Sequence, residues 1–184
     1  MYKDFLQTLR VFLVTNIVLV GVPGAGKSTV GKQLATALGC EFFDSDHEIE
    51  ARLGKSVSDI FTQDGEATFR KVEAEIICEL LTRENVVISL GGGSLLNENT
   101  RELVKKHQVI WLQVNLAGAV SRVGLNRNRP LLLGNVRGQL ADLMQAREPL
   151  YREVASHLVE TTEMSASQVV TAIIAIVSKP QEKA

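Results

Sequence analysis

An octapeptide near the start of the chain, Gly21-Val22-Pro23-Gly24-Ala25-Gly26-Lys27-Ser28, follows the apolar run Ile17–Val20 and precedes a helical pattern, Thr29–Leu38. No other feature constrains the fold as strongly, because the octapeptide satisfies G-x-x-x-x-G-K-S/T in its required setting, between a strand and a helix. Glycines let the backbone bend so that successive N–H groups face phosphate oxygens, and the following helix adds the positive end of its dipole. Lys27 is then expected on the β- and γ-phosphates of a nucleotide and the Ser28 hydroxyl on Mg²⁺. Gly24, Ala25, Gly26 and Thr29 complete the expected ATP cradle. A dinucleotide fingerprint fits less well, since Thr29 stands where its third glycine belongs.

The rest of the chain alternates short β-rich runs with helical patterns, the signature of a parallel sheet covered by helices. Strands are expected at Ile17–Val20, Glu41–Phe43, Val86–Leu90, Val109–Val114 and, weakly at an edge, Leu158–Val159. Helices are expected at Thr29–Leu38, Asp46–Leu53, Glu66–Arg83, Asn99–Lys106, Gly118–Leu125, Leu140–Tyr151 and Ser165–Ser178. Gly39 and Gly54 fall where helices end in a left-handed residue, and Ser56 is placed to cap a short turn. Asn126–Gly138 is polar, arginine-rich and glycine-flanked, which reads as a mobile surface loop. Residues 16–178 thus form one domain, with 1–15 as an N-terminal extension and 179–184 as a tail.

Strand three runs straight into Gly91-Gly92-Gly93, without the aspartate that usually ends such a strand and serves the metal. Carboxylates must come from elsewhere, and Asp44-Ser45-Asp46, directly after strand two, supplies them. In open parallel sheets the ligand crevice lies at the carboxyl ends of the strands, which brings the phosphate loop, Asp44, Asp46 and Gly91–Gly93 to one rim. The guanine-reading motif N-K-x-D is absent.

Composition excludes several classes. With 20 Lys+Arg against 21 Asp+Glu, the chain lacks the positive excess of a nucleic-acid binder. That balance conceals segregation: residues 40–66 hold eight acids and two bases, and residues 117–152 six arginines and two acids. Cys40 and Cys78 are too few for a disulfide framework, fit a reducing compartment, and are expected to pack. The longest apolar stretches fall short of the roughly 18 residues a spanning helix needs. A cytoplasmic protein without a membrane partner is expected. No interface signature stands out, so a monomer is the default.

The ordered set Gly21–Thr29, Asp44-Ser45-Asp46, Gly65-Glu66-x-x-Phe69-Arg70, Gly91–Gly93, Arg129-Pro130-Leu131-Leu132 and Arg147-x-Pro149-Leu150-Tyr151 closely resembles the shikimate kinase family, over about residues 16 to 178. The resemblance implies a three-layer αβα fold like that of nucleoside monophosphate kinases. Its five-stranded parallel sheet would have the order 2-3-1-4-5, with a mobile lid at about residues 126–138. It implies transfer of the γ-phosphate of ATP to the 3-hydroxyl of shikimate, on the route to aromatic amino acids. Lys27 and Ser28 take the roles already argued, and Asp44 would hold Mg²⁺ through water. Asp46 would bind the ring hydroxyls as candidate base. Arg70 and Arg147 would clamp the substrate carboxylate, which suits the planar fork of guanidinium. Backbone N–H groups of Gly91, Gly92 and Gly93 would approach the ring. Arg129 matches the lid arginine that closes over the phosphates, and Arg122 by spacing the residue that stacks on adenine. The segment Glu160–Ala166 lacks the proline that often lies against adenine in this family.

Blander readings exist for single residues: Arg70 could merely pair with Glu66 or Glu73 on its own helix, and Arg147 with Glu148. Two rivals compete with the whole reading, namely a kinase of another hydroxy acid such as gluconate, and a sensor that binds similar ligands without turnover. Intact Lys27, Ser28, Asp44, Asp46 and Arg129 favour catalysis over sensing.

Overall fold

The fold is built around the apolar run that precedes the phosphate loop. In the computed structural model, which describes residues 16–124 and 135–178, Ile17–Val20 is strand β1 and is no more than 1% exposed at any residue. It lies at the centre of a parallel sheet, between β3 (Val86–Ser89) and β4 (Gln108–Gln113), with β2 (Glu41–Asp44) and β5 (His157–Glu160) at the edges. The order is β2-β3-β1-β4-β5, as the resemblance implied. Burial tracks position: β1 and β3 are buried throughout, whereas β2 and β5 each expose residues at the rims.

Helices α1 (Lys27–Leu38), α2 (Ser45–Leu53), α3 (Val57–Gln63), α4 (Gly65–Leu81), α5 (Glu98–Val104), α6 (Leu116–Gly124), α7 (Val136–Val154) and α8 (Ala166–Val177) cover the sheet. Helix α1 ends at Gly39 and α2 at Gly54, both left-handed (φ 66° and 64°), where sequence placed them. The buried stripe of α8 is Val169, Val170, Ile173 and Val177, and a reciprocal capping box of Ser165 and Gln168 starts the helix. Asn16 is 2% exposed; its side chain donates to Arg83 O (2.8 Å) and accepts from Val86 N (3.3 Å), fixing the entry to β1 against β3.

Several expectations need correction. Ser56 caps a real helix, α3, rather than a short turn, accepting from Asp59 N. Helix α7 starts at Val136 under an Asn135 cap, so residues 136–138 belong to it and not to a loop. It continues through Pro149, because Pro149 and the residue four earlier, Gln145, are both exposed and water can take the freed carbonyl. Cys40 packs partly against the core, but Cys78 is exposed on α4 and is not a packing residue. Residues 1–15, 179–184 and 125–134, which take in the first nine residues of the expected lid, lie outside the described residues. Among the described residues no helix is long and apolar enough to cross a membrane.

Register sets the site. Asp44 and Leu19 both align with Ser89, so β1, β2 and β3 release their loops at the same rim.

Candidate active site

The phosphate loop is pressed into place from both sides. Gly21 has φ 145°, and a Cβ there would lie 2.5 Å from the carbonyl oxygen of Leu112 on β4. Gly24 has φ 83°, and its Cβ would lie 2.8 Å from Ala119 O on α6. Any side chain at either position meets backbone, so glycine is required by contact as well as by conformation. Lys27, the first residue of α1, is 8% exposed and its Nζ donates to Gly21 O (2.8 Å) and Val22 O (3.2 Å), across the mouth of the loop. Ser28 Oγ donates to Asp44 Oδ2 at 2.6 Å. The other oxygen of Asp44 accepts from Asp46 N (3.2 Å) and caps α2. One aspartate thus starts a helix and joins β2 to the phosphate loop.

The Gly91–Gly93 turn gathers charge. A Cβ on Gly91 would meet Asp46 Oδ1 at 2.5 Å and Glu73 Oε1 at 3.0 Å. On Gly92 it would meet Arg147 Nη1 at 3.2 Å, and on Gly93 Arg70 Nη2 at 2.5 Å. Four charged side chains from α2, α4 and α7 therefore converge on three residues that carry no side chains. The turn is braced from beneath, since Ser45, fully buried, accepts from Gly91 N at 2.8 Å. Tyr151 OH, on α7, donates to Gly92 O at 2.9 Å, and burial pushes its phenol up to about 12. The Gly91 N–H is therefore occupied by Ser45, which leaves those of Gly92 and Gly93 as the donors the turn can offer a ligand.

Arg70 does pair on its own helix, with Glu73 (2.7 Å) and Glu66 (3.2 Å), and lies 5.2 Å from the Phe69 ring centroid and 5.8 Å from that of Phe61. These contacts hold the guanidinium against Gly93 rather than away from it. Glu148 pairs with Arg152 (2.7 Å), so the bland partner proposed for Arg147 is engaged elsewhere. Glu73 is 3% exposed, and burial raises its carboxyl to about 7. Arg70 and Arg147 oppose that rise and Asp46 adds to it.

Arg122 is tied between two loops. Its guanidinium donates to Thr161 O (2.7 Å), Thr162 O (3.2 Å) and Gly24 O (3.4 Å), which locates it where the phosphate loop meets the segment after β5. Thr161, 1% exposed, has its hydroxyl 3.0 Å from Gln113 O, a buried link between β4 and that segment. Arg129 lies outside the described residues.

Of the expected residues, the structure brings Lys27, Ser28 and Asp44 together, and groups Asp46, Arg70 and Arg147 around the glycine turn. Sequence reasoning had given Ser45, Glu73, Tyr151 and Thr161 no functional role. A signal existed for Glu73: it shares the inward stripe of α4 with Phe69, Ile76, Ile77 and Leu80, where a carboxylate needs a reason.

A phosphate loop after the central strand, a sheet of order β2-β3-β1-β4-β5 and a carboxylate–arginine pocket beside it define a phosphate-loop kinase of small molecules. Residues 23–178 match the model of the family described as Shikimate kinase. The shikimate kinase of Thermobifida fusca (strain YX) is 51% identical over 146 residues, 79% of this chain and 85% of its own. That of Rhodococcus jostii (strain RHA1) is 46% identical over 164 residues, 89% of this chain and 98% of its own. A solved structure, shikimate kinase from Acinetobacter baumannii in complex with shikimate, superposes with a TM-score of 0.90 at 38% identity, covering 96% of this chain and 99% of that one. The chain belongs to the shikimate kinase family and is an ATP-dependent kinase.

Proposed function

We propose that this chain transfers the γ-phosphate of ATP to the 3-hydroxyl of shikimate, a step in aromatic amino-acid biosynthesis, with the residues grouped above as its machinery. The observation that carries this reading is the convergence of Asp46, Arg70 and Arg147 on the side-chain-free turn Gly91–Gly93. A compact ring fits where no Cβ intrudes, with two guanidinium groups for a carboxylate and one carboxylate for hydroxyls. Asp46 accepts the hydrogen bond of the attacking hydroxyl and fixes its direction, which matters more in phosphoryl transfer than basicity. Gly24, Gly26 and Thr29 contribute backbone donors to the phosphates, and Ala25, whose N–H donates to Val22 O at 3.1 Å, holds the bend of the cradle. Lys27 exchanges its loop carbonyls for phosphate oxygens.

Ser28 and Asp44 fit a magnesium site. They are hard oxygen donors 2.6 Å apart, and Mg²⁺ is commonly held by one or two protein oxygens, waters and substrate phosphates. Bound there with ATP, the ion neutralises charge on the transferring group. Arg122 forms the floor of the adenine site, and Arg129 supplies the closing charge over the phosphates from the lid. Two unpaired cysteines accord with work in the cytoplasm.

Release of ADP from ATP and Mg²⁺ in the presence of shikimate, and not of gluconate, is the expected outcome with purified protein. Turnover of gluconate alone would reject the substrate. Saturable shikimate binding without turnover would return the protein to the class of sensors.

A further inference from the structure

Glu73 is a carboxylate in a place that does not suit one. One oxygen, Oε2, accepts from Arg70 Nη1 at 2.7 Å. The other, Oε1, is buried and accepts no hydrogen bond among the described residues. It lies 3.0 Å from the place a Cβ on Gly91 would take, and Asp46 Oδ1 is 2.5 Å from the same point. Two carboxylate oxygens therefore come close to one point beside Gly91, one of them without a donor.

The charged groups that act on Glu73 are Arg70 of its own helix, Asp46 of α2 and Arg147 of α7. Helix α3 contributes the Phe61 ring beside Arg70. With Arg70 and Arg147 against Asp46 and Glu73, the pocket is balanced. Under the substrate reading above, on which this inference rests, a ligand carboxylate enters between the two arginines and adds one negative charge as water leaves. The balance is then lost in a setting of low polarity, where like charges repel strongly. Asp46 is half-buried and is needed ionised to receive the hydroxyl, whereas Glu73 is 3% exposed and never touches that hydroxyl in the proposed arrangement.

We propose that Glu73 takes up one proton from solvent as the substrate carboxylate docks, so that shikimate binds together with that proton. The proton settles on Oε1, which changes from an acceptor without a donor into a donor facing Asp46. Oε2 keeps its bond to Arg70, so the clamp stays aligned while its charge is shared with the newcomer. Burial already raises the Glu73 carboxyl to about 7, so the added charge of the ligand has only to push it further in the same direction. Glu73 acts here as a positioning residue with a coupled proton, not as a catalytic residue.

Calorimetric titration of the protein with shikimate, in buffers of different ionisation heats between pH 6 and 8.5, counts the protons. Uptake rising towards about one proton per site is expected at the alkaline end, with affinity falling about tenfold per pH unit there. Glu73→Gln, which mimics the protonated form, should bind without uptake and with an affinity that no longer depends on pH. Asp46→Asn, which removes one negative charge from that balance and from the groups that raise Glu73, should lessen the uptake. Binding with no proton exchange in the wild-type protein, or uptake that persists in Glu73→Gln, overturns the inference while leaving the substrate reading intact. Failure of shikimate to bind at any pH would instead remove the reading beneath it. Where Glu73→Gln does not fold, Glu73→Asp decides: the uptake must persist with its midpoint moved, and an unmoved midpoint assigns the proton elsewhere.

Discussion

Glu73 also marks the stability of the free protein. Its folded carboxyl titrates at about 7 against an ordinary 4.5, so between those values the folded state binds more protons than the unfolded one. Its contribution is fully present below about 4.5 and is lost as pH rises through about 7, amounting to at most about 3 kcal/mol. Urea unfolding at pH 5 and pH 8 should show Glu73→Gln gaining on the wild-type protein at the higher pH; a constant gap would mean that Glu73 does not titrate in this range. Arg70, beside it, belongs to ligand binding. Arg70→Ala should raise the KM for shikimate roughly 10- to 150-fold, the equivalent of a charge-assisted hydrogen bond of about 1.5–3 kcal/mol, with a smaller change in kcat. An unchanged KM would take Arg70 out of the pocket. Residues such as Lys27, Ser28, Asp44 and Arg70 were legible because each sits in a short motif whose spacing already implies a job. Ser45, Tyr151 and Thr161 were not, since their hydroxyls act on Gly91, Gly92 and the Gln113 carbonyl, partners between 46 and 59 positions away in the chain.

Elements were legible where burial is two-sided. Strands β1 and β3 are continuous apolar runs because both faces are covered, and their expected bounds differ from the observed ones by at most one residue. Helix α3 escaped notice because seven residues with apolar Val57, Ile60 and Phe61 make too short a period to read. The start of α7 was hidden by a polar segment, with only the Asn135 cap to betray it. The phosphate loop shows the opposite case, an element whose sequence is explained only by its neighbours. Gly21 touches β4 so closely that Gly21→Ala sets a Cβ against the Leu112 carbonyl at a φ of 145°. A loss of about 1–3 kcal/mol in stability is expected, together with a raised KM for ATP. Wild-type values for both in denaturation and kinetics would show that the loop has more room than its contacts indicate.

At the scale of the molecule, the segregated charge acquires a location. The acidic segment contributes Asp46 and the basic one Arg147, and both reach the Gly91–Gly93 turn, where the sequence could not show that they meet. The sheet carries no charge into this meeting; it fixes register so that three loops end at one rim. The two flanks are tied by α7, whose Tyr151 holds the turn while its Glu153 pairs with Arg101 of α5 (3.1 Å) and with Lys105 at that helix's C-terminal cap (2.8 Å).

Tyr151 has one further neighbour. Its ring lies 5.9 Å from that of Trp111, over which Arg152 also sits at 5.7 Å, and Trp111 is the single tryptophan of the chain. The protein thus carries its own optical gauge: one indole, shielded from water, within van der Waals range of the helix that delivers Arg147 and of the tyrosine that grips the turn. Docking of shikimate should alter the intensity of that emission in a saturable way, and Arg147→Ala should abolish the response at concentrations that saturate the native chain. A signal that stays flat while calorimetry records binding would mean that helix and turn receive the ligand without moving.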